Sequence, residues 1–399
     1  MNSGTTTSGD SLEQIRVLAI DKTAVLAHVR DRWDRLSAHQ EIDLALLSPD
    51  SWIENFRTYR FTSSDAYHFK AVVGKVIGIG RELKAIYRSG LFKAFRQTRP
   101  EVVLMFEESF SFFALQTLIA RRLFAPNARL VFYSNNVTSY KIPGYRLSRL
   151  YRAIARIVTP RCDVGLCVND AAERVLREAG YGIEIRTLFY GIDERRFAPV
   201  ERIKARNEVG LSPDQRVLLY AGRLIELKGV QDLIAAFEGL YKRRPDDKLK
   251  LLIVGDGPYR EALLQQANAL DAKERIEFRQ VVPIESMPTL IGACDMLVLP
   301  SRKEFNEQFG RVNAETMLCG TTIVASTSGA IPKVLGENGF VFEAGNVEEL
   351  TEKIIYILEH PGEAEDRRTK GRAYALKHYS TQAAIRNLLQ LIKDMTGER

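Results

Sequence analysis

The chain sets short apolar runs against longer segments of helical spacing, and it does so twice over its 399 residues. In the first half IRVLAI, IDLALL, VVLMF, RLVFYS, VGLCVN and IEIRTL read as strands, and segments near residues 24–38, 66–98, 111–124, 144–158 and 170–179 have helical character. The second half repeats the alternation. VLLYAG, LKLLIVG, RIEFRQ, MLVLPS, TTIVAS and GFVFEA read as strands, with helices near 229–243, 257–271, 285–293, 311–318 and 346–359. Alternation on this scale calls for parallel, doubly wound sheets, because each return to a parallel strand needs a long crossover. A chain of this length exceeds one ordinary core, so two Rossmann-like α/β domains follow.

YGIDERRFAPVERIKARNEVGLSPDQR is polar, carries two prolines and ends where a new strand begins, which makes it the expected boundary. The expected division is a disordered tail over 1–14, a first domain over 15–195, a second over 196–378 and a C-terminal helix over 379–399. That helix, in STQAAIRNLLQLIKDM, is amphipathic and is expected to pack back on the first domain. Ligands in open α/β sheets bind beyond the carboxyl ends of the strands, so two such sheets are expected to face a shared cleft.

Composition narrows the partners. No uninterrupted apolar run approaches the roughly 20 residues that span a bilayer. The start, MNSGTTTSGDSLEQ, lacks the basic and apolar regions of a signal peptide. Cys162, Cys167, Cys294 and Cys319 lie in apolar surroundings without CxxC spacing, so buried reduced thiols and a cytoplasmic setting are expected, with no metal. No nucleic-acid motif is present, and IRVLAIDKTAVLAH lacks the glycines of a dinucleotide fingerprint. Charge is uneven. From Arg60 to Asp163 eighteen Lys and Arg face six Asp and Glu, a balance of +12, which leaves −5 for the rest of a chain of net charge +7. Between Lys70 and Arg99 the cations recur among Val72, Val73, Val76, Ile77, Leu83, Ile86, Leu91 and Phe92, a pattern that predicts an amphipathic helix on anionic lipid.

The segment SRKEFNEQFGRVNAETMLCG says most about chemistry. Glu307 lies just ahead of the helix expected at 311–318, and Glu315 lies inside it. Free N–H groups of the first turn, near Phe309 and Gly310, form a ready anion site between the two carboxylates. Carboxylates that grip hydroxyls, flanking a seat for phosphate, suit a ligand that is part sugar and part diphosphate. A second cluster follows the strand VLLYAG, where Gly222 precedes Arg223 and Lys228 ahead of a helix. Two cations in a strand-to-helix loop can converge on one diphosphate. Gly255-Asp256-Gly257-Pro258 follows the next strand and reads first as a tight turn, while QVVPI, with Val282, follows the third strand and could flank a base.

YAGRLIELKG, IVGDGPYREAL, EQFGRVNAETMLCGTTIVAS, TSGAIPKVLGENGFVFEAGNVEELTEKI and YGIDERRFAP together resemble glycosyltransferase family 4, retaining enzymes of GT-B fold, over roughly residues 160–395. The resemblance implies that Arg223 and Lys228 hold the donor diphosphate, and that Glu307 contacts donor sugar hydroxyls beside the amides of Phe309 and Gly310. It further implies that Glu315 binds the ribose, that neither metal nor cofactor is needed, and that Arg223, Lys228 and Glu307 carry the reaction. Partners on this reading are a nucleotide-sugar donor and a glycan or lipid-linked acceptor. The sequence departs from the family at several points. Asp21-Lys22-Thr23-Ala24 replaces a two-glycine loop, and Asn135-Asn136 stands where many members carry histidine, which makes Lys22, Thr23 and Asn135 the acceptor-side candidates. Tyr190, Gln308 and Lys333 replace a common Asn, Pro and acidic residue. Paired carboxylates also suit glycoside hydrolysis, but that chemistry gives Arg223 and Lys228 no role. A nucleotide-sugar epimerase and an impaired sugar-nucleotide-binding protein are the remaining alternatives.

Overall fold

The computed structural model describes residues 14–54, 57–62, 64, 66–81, 83–135, 148–189 and 191–397. The expected tail (save Gln14), Asn136, Tyr190 and positions 144–147 lie outside the described residues. The chain forms two compact units. One runs through Leu188 and resumes at Ile385, and the other is Phe189–Ala384.

The first unit is built on β1 (Ile15–Ile20), β2 (Ile42–Pro49), β5 (Lys70–Gly74), β8 (Val102–Met105), β9 (Arg129–Ser134), β10 (Val164–Cys167) and β11 (Glu184–Thr187). They form one seven-stranded sheet in the order β11-β10-β9-β8-β1-β2-β5, every pairing parallel. The inner runs are apolar because both faces are covered: all four residues of β8 and of β10 are buried. Covering helices are α1 (Ala27–Ser37), α2 (Leu91–Thr98), α3 (Phe112–Phe124), α4 (Ser148–Val158) and α5 (Asp170–Glu178). Ser111 and Asn169 cap α3 and α5 by accepting from Ala114 and Ala172 N–H.

The helix expected over 66–98 does not form. Lys70–Gly74 is β5, paired to β2 with Ala45 opposite Lys70 and Pro49 opposite Gly74. Two antiparallel ribbons flank it, β3 (Ser51–Glu54) with β4 (Arg57–Arg60) and β6 (Val76–Ile77) with β7 (Ile86–Tyr87). Among the described residues of this stretch, helix is confined to Leu91–Thr98. Val72, Val73, Val76 and Ile77 are β-branched, and Gly74, Gly78 and Gly80 break any helix through them. The amphipathic helix of Lys70–Arg99 is thereby corrected to strand, ribbon and one short helix.

The second unit holds β12 (Arg216–Ala221), β13 (Leu249–Val254), β14 (Ile276–Arg279), β15 (Met296–Leu299), β16 (Thr322–Ser326) and β17 (Phe340–Phe342), in the order β14-β13-β12-β15-β16-β17 and again all parallel. Strand order reverses between β12 and β15, as it does between β1 and β8 in the first sheet. Its helices are α6 (Arg202–Val209), α7 (Val230–Arg243), α8 (Arg260–Asn268), α9 (Met287–Ala293), α10 (Arg311–Leu318), α11 (Ile331–Leu335), α12 (Val347–Glu359) and α13 (Pro361–His378). The polar stretch read as the domain boundary contains α6, capped by Glu201 and closed by Gly210. The last helix, α14 (Thr381–Thr396), belongs to the first unit from Ile385 onward. There Asp394 accepts from Arg186 at 2.7 Å and Lys393 pairs with Glu41 at 2.8 Å.

All four cysteines are buried and free of disulfides, and burial pushes the thiols of Cys162, Cys167 and Cys294 up to about 12. Among the described residues no helix is long and apolar enough to cross a membrane.

Arg206 of α6 is the main polar staple of the second unit. It is 3% exposed and donates to the carbonyls of Ala293 (2.9 Å), Ser212 (3.1 Å) and Pro213 (2.6 Å), and to Asp295 at 2.8 Å. Asp295 in turn accepts from Val217 N–H at 2.7 Å and pairs with Arg202. Arg206→Ala takes the donor from the carbonyls of Ala293, Ser212 and Pro213 and one partner from Asp295, so it is expected to cost about 3 kcal/mol or more in denaturant unfolding. A loss below ~1 kcal/mol would show the staple to be dispensable.

Candidate functional site

In the second unit the loops that follow β12 and β15 meet where strand order reverses, the place where doubly wound sheets take their ligands. The β12 loop carries Gly222, Arg223 and Lys228 and leads into α7; the β15 loop carries Ser301 through Gly310 and leads into α10. Several contacts clamp the two together. Arg302 N–H donates to Leu227 O at 2.9 Å, and the Arg302 guanidinium grips Asp232 of α7 at 2.7 and 2.9 Å. Gly229 passes so close to the second loop that a Cβ there would lie 2.0 Å from Pro300 O. Its φ of +70° adds a second reason for glycine.

The clamp brings Lys228 and Glu307 together. Lys228 Nζ donates to Glu307 Oε2 at 2.5 Å, and Ser301 Oγ donates to the same oxygen at 3.1 Å. Both charged residues are 9% exposed. The Phe305 ring lies 4.1 Å from Lys228 Nζ and 5.7 Å from the exposed Arg223 guanidinium, so both cations face one aromatic surface. Tyr220 OH donates to Arg223 O at 2.8 Å and fixes the backbone from which Arg223 extends. Burial pulls the Lys228 pKa down, Glu307 draws it back up, and Arg223 lowers it further.

Glu307 is anchored from behind. Ala330 N–H donates to its carbonyl at 2.7 Å, its own N–H reaches Ser328 Oγ at 3.4 Å, and Ser328 Oγ donates to Arg302 O at 2.8 Å. Gly329, at φ +58°, leaves no room for a side chain, since a Cβ would sit 2.3 Å from Glu307 O. Glu307 therefore projects from a held loop, ahead of α10. Glu315 lies inside α10, 7% exposed, and accepts from Arg311 Nε at 2.7 Å one turn earlier. Gly310 is the N-cap of α10 and supplies no side chain to its free N–H groups, and Gly229 stands likewise at the head of α7.

The remaining candidates fall on neighbouring loops. Gly255 and Gly257 follow β13, where Leu224 N–H donates to Asp256 O at 2.9 Å and Tyr259 N–H to Leu224 O at 3.0 Å, binding that loop to the β12 loop. Phe309 is buried against Phe189 and Tyr379, with ring centroids 5.3 Å from each. Val282 is half-buried beyond β14.

The first unit places Lys22 and Asn135 at the carboxyl ends of β1 and β9. Lys22 Nζ donates to Glu107 Oε2 at 2.9 Å and lies 5.5 Å from the Trp52 ring. Asn135 N–H and Ser134 Oγ donate to the two oxygens of Glu108 at 2.9 and 2.8 Å. Thr23 is turned inward: its N–H and hydroxyl both donate to Asp21 Oδ1, while Asp21 Oδ2 accepts from Arg32 and Trp33 at 3.0 Å. Sequence reasoning missed Glu107, Glu108, Ser301 and Phe305, although an acidic pair directly after a buried strand was a usable signal. Among the described residues no group of three His, Cys, Asp or Glu could hold a metal ion.

The fold and the loops at its sheet ends define a GT-B protein. Residues 201–374 match the family of glycosyl transferases group 1. A GDP-mannose-dependent α-(1-6)-phosphatidylinositol monomannoside mannosyltransferase of Mycolicibacterium smegmatis is 32% identical over 258 residues, covering 62% of this chain and 67% of that protein. A D-inositol 3-phosphate glycosyltransferase of Pseudarthrobacter chlorophenolicus is 31% identical over 219 residues, and this chain spans about half of it, 51%. Anabaena HepE in complex with UDP superposes with a TM-score of 0.72 at 19% identity, covering 95% of this chain and 100% of that one, a likeness of fold. The chain belongs to the glycosyl transferases group 1 family.

The electrostatics of the pair yield a prediction. Glu307 raises the Lys228 pKa, so Glu307→Gln removes that support and lowers it further. The ammonium charge, present below the pKa, should be lost at lower pH in the variant than in the parent. NMR of methylated lysines reads this directly; an unchanged or upward titration of Lys228 would contradict the coupling.

Proposed function

We propose that the chain moves a hexose from a nucleotide diphosphate sugar to a hydroxyl of a glycan or lipid-linked acceptor, with retention of configuration and without a metal. The observation that carries this reading is the meeting of Lys228, Arg223 and Glu307 at the strand-order reversal. Two cations before the N-terminus of α7 suit a diphosphate, and a carboxylate held one loop away suits sugar hydroxyls. Glu315 takes the ribose in this reading, Gly255, Gly257 and Val282 flank the nucleotide, and Lys22 and Asn135 stand on the acceptor side.

Sugar transfer passes through an oxocarbenium-like centre while negative charge grows on the departing phosphate. Preplaced cations and helix N–H groups stabilise that charge as it forms, which assigns the metal's usual task to Arg223 and Lys228. The acceptor attacks from the face the diphosphate leaves. The departing phosphate oxygen takes the acceptor's proton, the C–O bond to phosphate breaks, and the new glycosidic bond forms on the same face. Glu307 orients the sugar.

Arg223→Ala is expected to lower kcat by ~100-fold or more while leaving Tm unchanged, since Arg223 is exposed. Lys228→Ala should lower it at least as far and also destabilise the unit, because Glu307 is left buried without its cation. Near-normal transfer by both variants would sink the reading. A thermal-shift screen of UDP- and GDP-sugars identifies the donor, since a ligand that binds only the folded state raises Tm. The mannosyltransferase relative, named for GDP-mannose and a phosphatidylinositol glycoside, supports including both GDP-mannose and lipid acceptors.

The proposal extends to a cytoplasmic setting and to docking of the first unit on an anionic membrane surface. On the first unit α2 packs against α3 and α3 against α4. Phe92 on α2 is 47% exposed, Leu123 on α3 63% and Ile157 on α4 45%. Exposed Lys93, Arg96, Arg122 and Arg156 lie on the same three helices. Apolar side chains set among cations suit anionic lipid. Sedimentation with vesicles containing phosphatidylglycerol should show salt-sensitive binding that Leu123→Asp weakens; binding equal to that on neutral vesicles would exclude this surface.

A further inference from the structure

Glu307 and Phe309 are both buried, with exposed Gln308 between them. The Phe309 ring meets Phe189 and Tyr379, each at 5.3 Å between centroids, and those two close the triangle at 4.8 Å and 82°. Both partners occupy particular places in the chain. Phe189 is the first residue of the second unit, and Tyr379 lies shortly before the chain leaves that unit after Ala384. The entering and leaving segments are bonded to each other. Ile192 N–H donates to Tyr379 O at 2.8 Å, and Thr381 N–H donates to Ile192 O at 2.9 Å. Gly191, at φ +75°, permits the approach, since a Cβ there would lie 3.0 Å from Thr381 Cα.

Tyr379 reaches the Glu307 loop by a second route. Its hydroxyl donates to Val334 O of α11 at 2.9 Å, and the residue is 2% exposed. Val334 N–H donates to Ala330 O at 3.0 Å, and Ala330 N–H donates to Glu307 O at 2.7 Å. Tyr379 therefore bears on Glu307 twice, by ring contact through Phe309 and by successive hydrogen bonds through α11. A carboxylate that must meet sugar hydroxyls works only when held to about half an ångström, and packed residues behind it do the holding. We propose that Phe189 and Tyr379 are positioning residues for the Glu307 carboxylate, so that the segments by which the chain enters and leaves the second unit set how that carboxylate meets the donor sugar. This inference rests on the nucleotide-sugar reading above.

The test uses the full chain as parent, Phe189→Leu, Tyr379→Phe and Phe189→Tyr, which keeps the ring. Ile354→Ala serves as control, because it opens a cavity at a fully buried position of α12, away from the site. Rates are taken per folded molecule with the nucleotide sugar the parent uses. Phe189→Leu should lower kcat ~10-fold or more while the donor KM changes by less than about three-fold, since a displaced orienting group costs rate at saturation. Tyr379→Phe should lower kcat in the same sense, Phe189→Tyr should recover most of the rate, and Ile354→Ala should lower Tm with kcat kept. Parental kcat in Phe189→Leu overturns the proposal, as does an equal kcat loss in Ile354→Ala. A second readout needs no substrate. Glu307 draws the Lys228 pKa up, so a displaced Glu307 should let Lys228 titrate at lower pH in lysine NMR of Phe189→Leu, and Ile354→Ala should leave it in place. An unmoved Lys228 in Phe189→Leu overturns the positioning role. A parent that transfers from no nucleotide sugar fails the function proposed above, and the Lys228 titration still decides the role of Phe189.

Discussion

The ion pair of Lys228 with Glu307 organises the second unit's functional end. Each residue sits on a loop that has little reason of its own to hold one shape, and each is nearly buried. An ammonium and a carboxylate withdrawn from water are tolerable only together and with further hydrogen bonds. Ser301 supplies one of those bonds, and the Arg302–Asp232 grip keeps the loops from parting. Small residues make the approach possible, with Gly229 under one loop and Gly329 behind the other. The result is a charged site whose geometry is set before any ligand arrives, which is the condition under which fixed charges are most effective.

The first unit repeats this arrangement. In both sheets a lysine follows the central strand on one side of the order reversal and a glutamate follows its neighbour on the other side. These are Lys22 after β1 with Glu107 after β8, and Lys228 after β12 with Glu307 after β15. At such a point adjacent loops diverge to opposite faces and leave a crevice whose walls are backbone ends. A long cation from one loop and a carboxylate from the next close that crevice without disturbing the strands below. The same topology therefore led to the same pairing twice, against different neighbours: Trp52 in one case and Phe305 in the other.

Much of this was legible in the sequence, and the reasons differ by element. Every strand read from an apolar run formed, because parallel strands buried on two faces leave continuous runs that little else produces. The loops with Arg223, Lys228 and Glu307 were legible because glycine, charge and strand ends coincide there. The stretch 66–98 was misread because its cations recur at helical spacing, while the deciding signal lay in β-branched residues and in Gly74, Gly78 and Gly80. Helix α13 was overlooked for the opposite reason. Its buried face is only Ala364, Gly371 and Ala375, so no apolar stripe announces it, and intrahelical pairs such as Arg367 with Glu363 support it.

Helix α14 has a consequence for how the chain comes to be folded. The first unit is composed mainly of residues before 189, yet its surface is completed by residues from Ile385 onward, where Asp394 and Lys393 tie back to Arg186 and Glu41. During synthesis the second unit, contiguous in sequence, can be finished while the first still lacks a wall. Domains generally fold as units from the N-terminus forward. Here the order of birth and the order of completion are opposed, and a chaperone would meet the earlier-made half as the later-closed one.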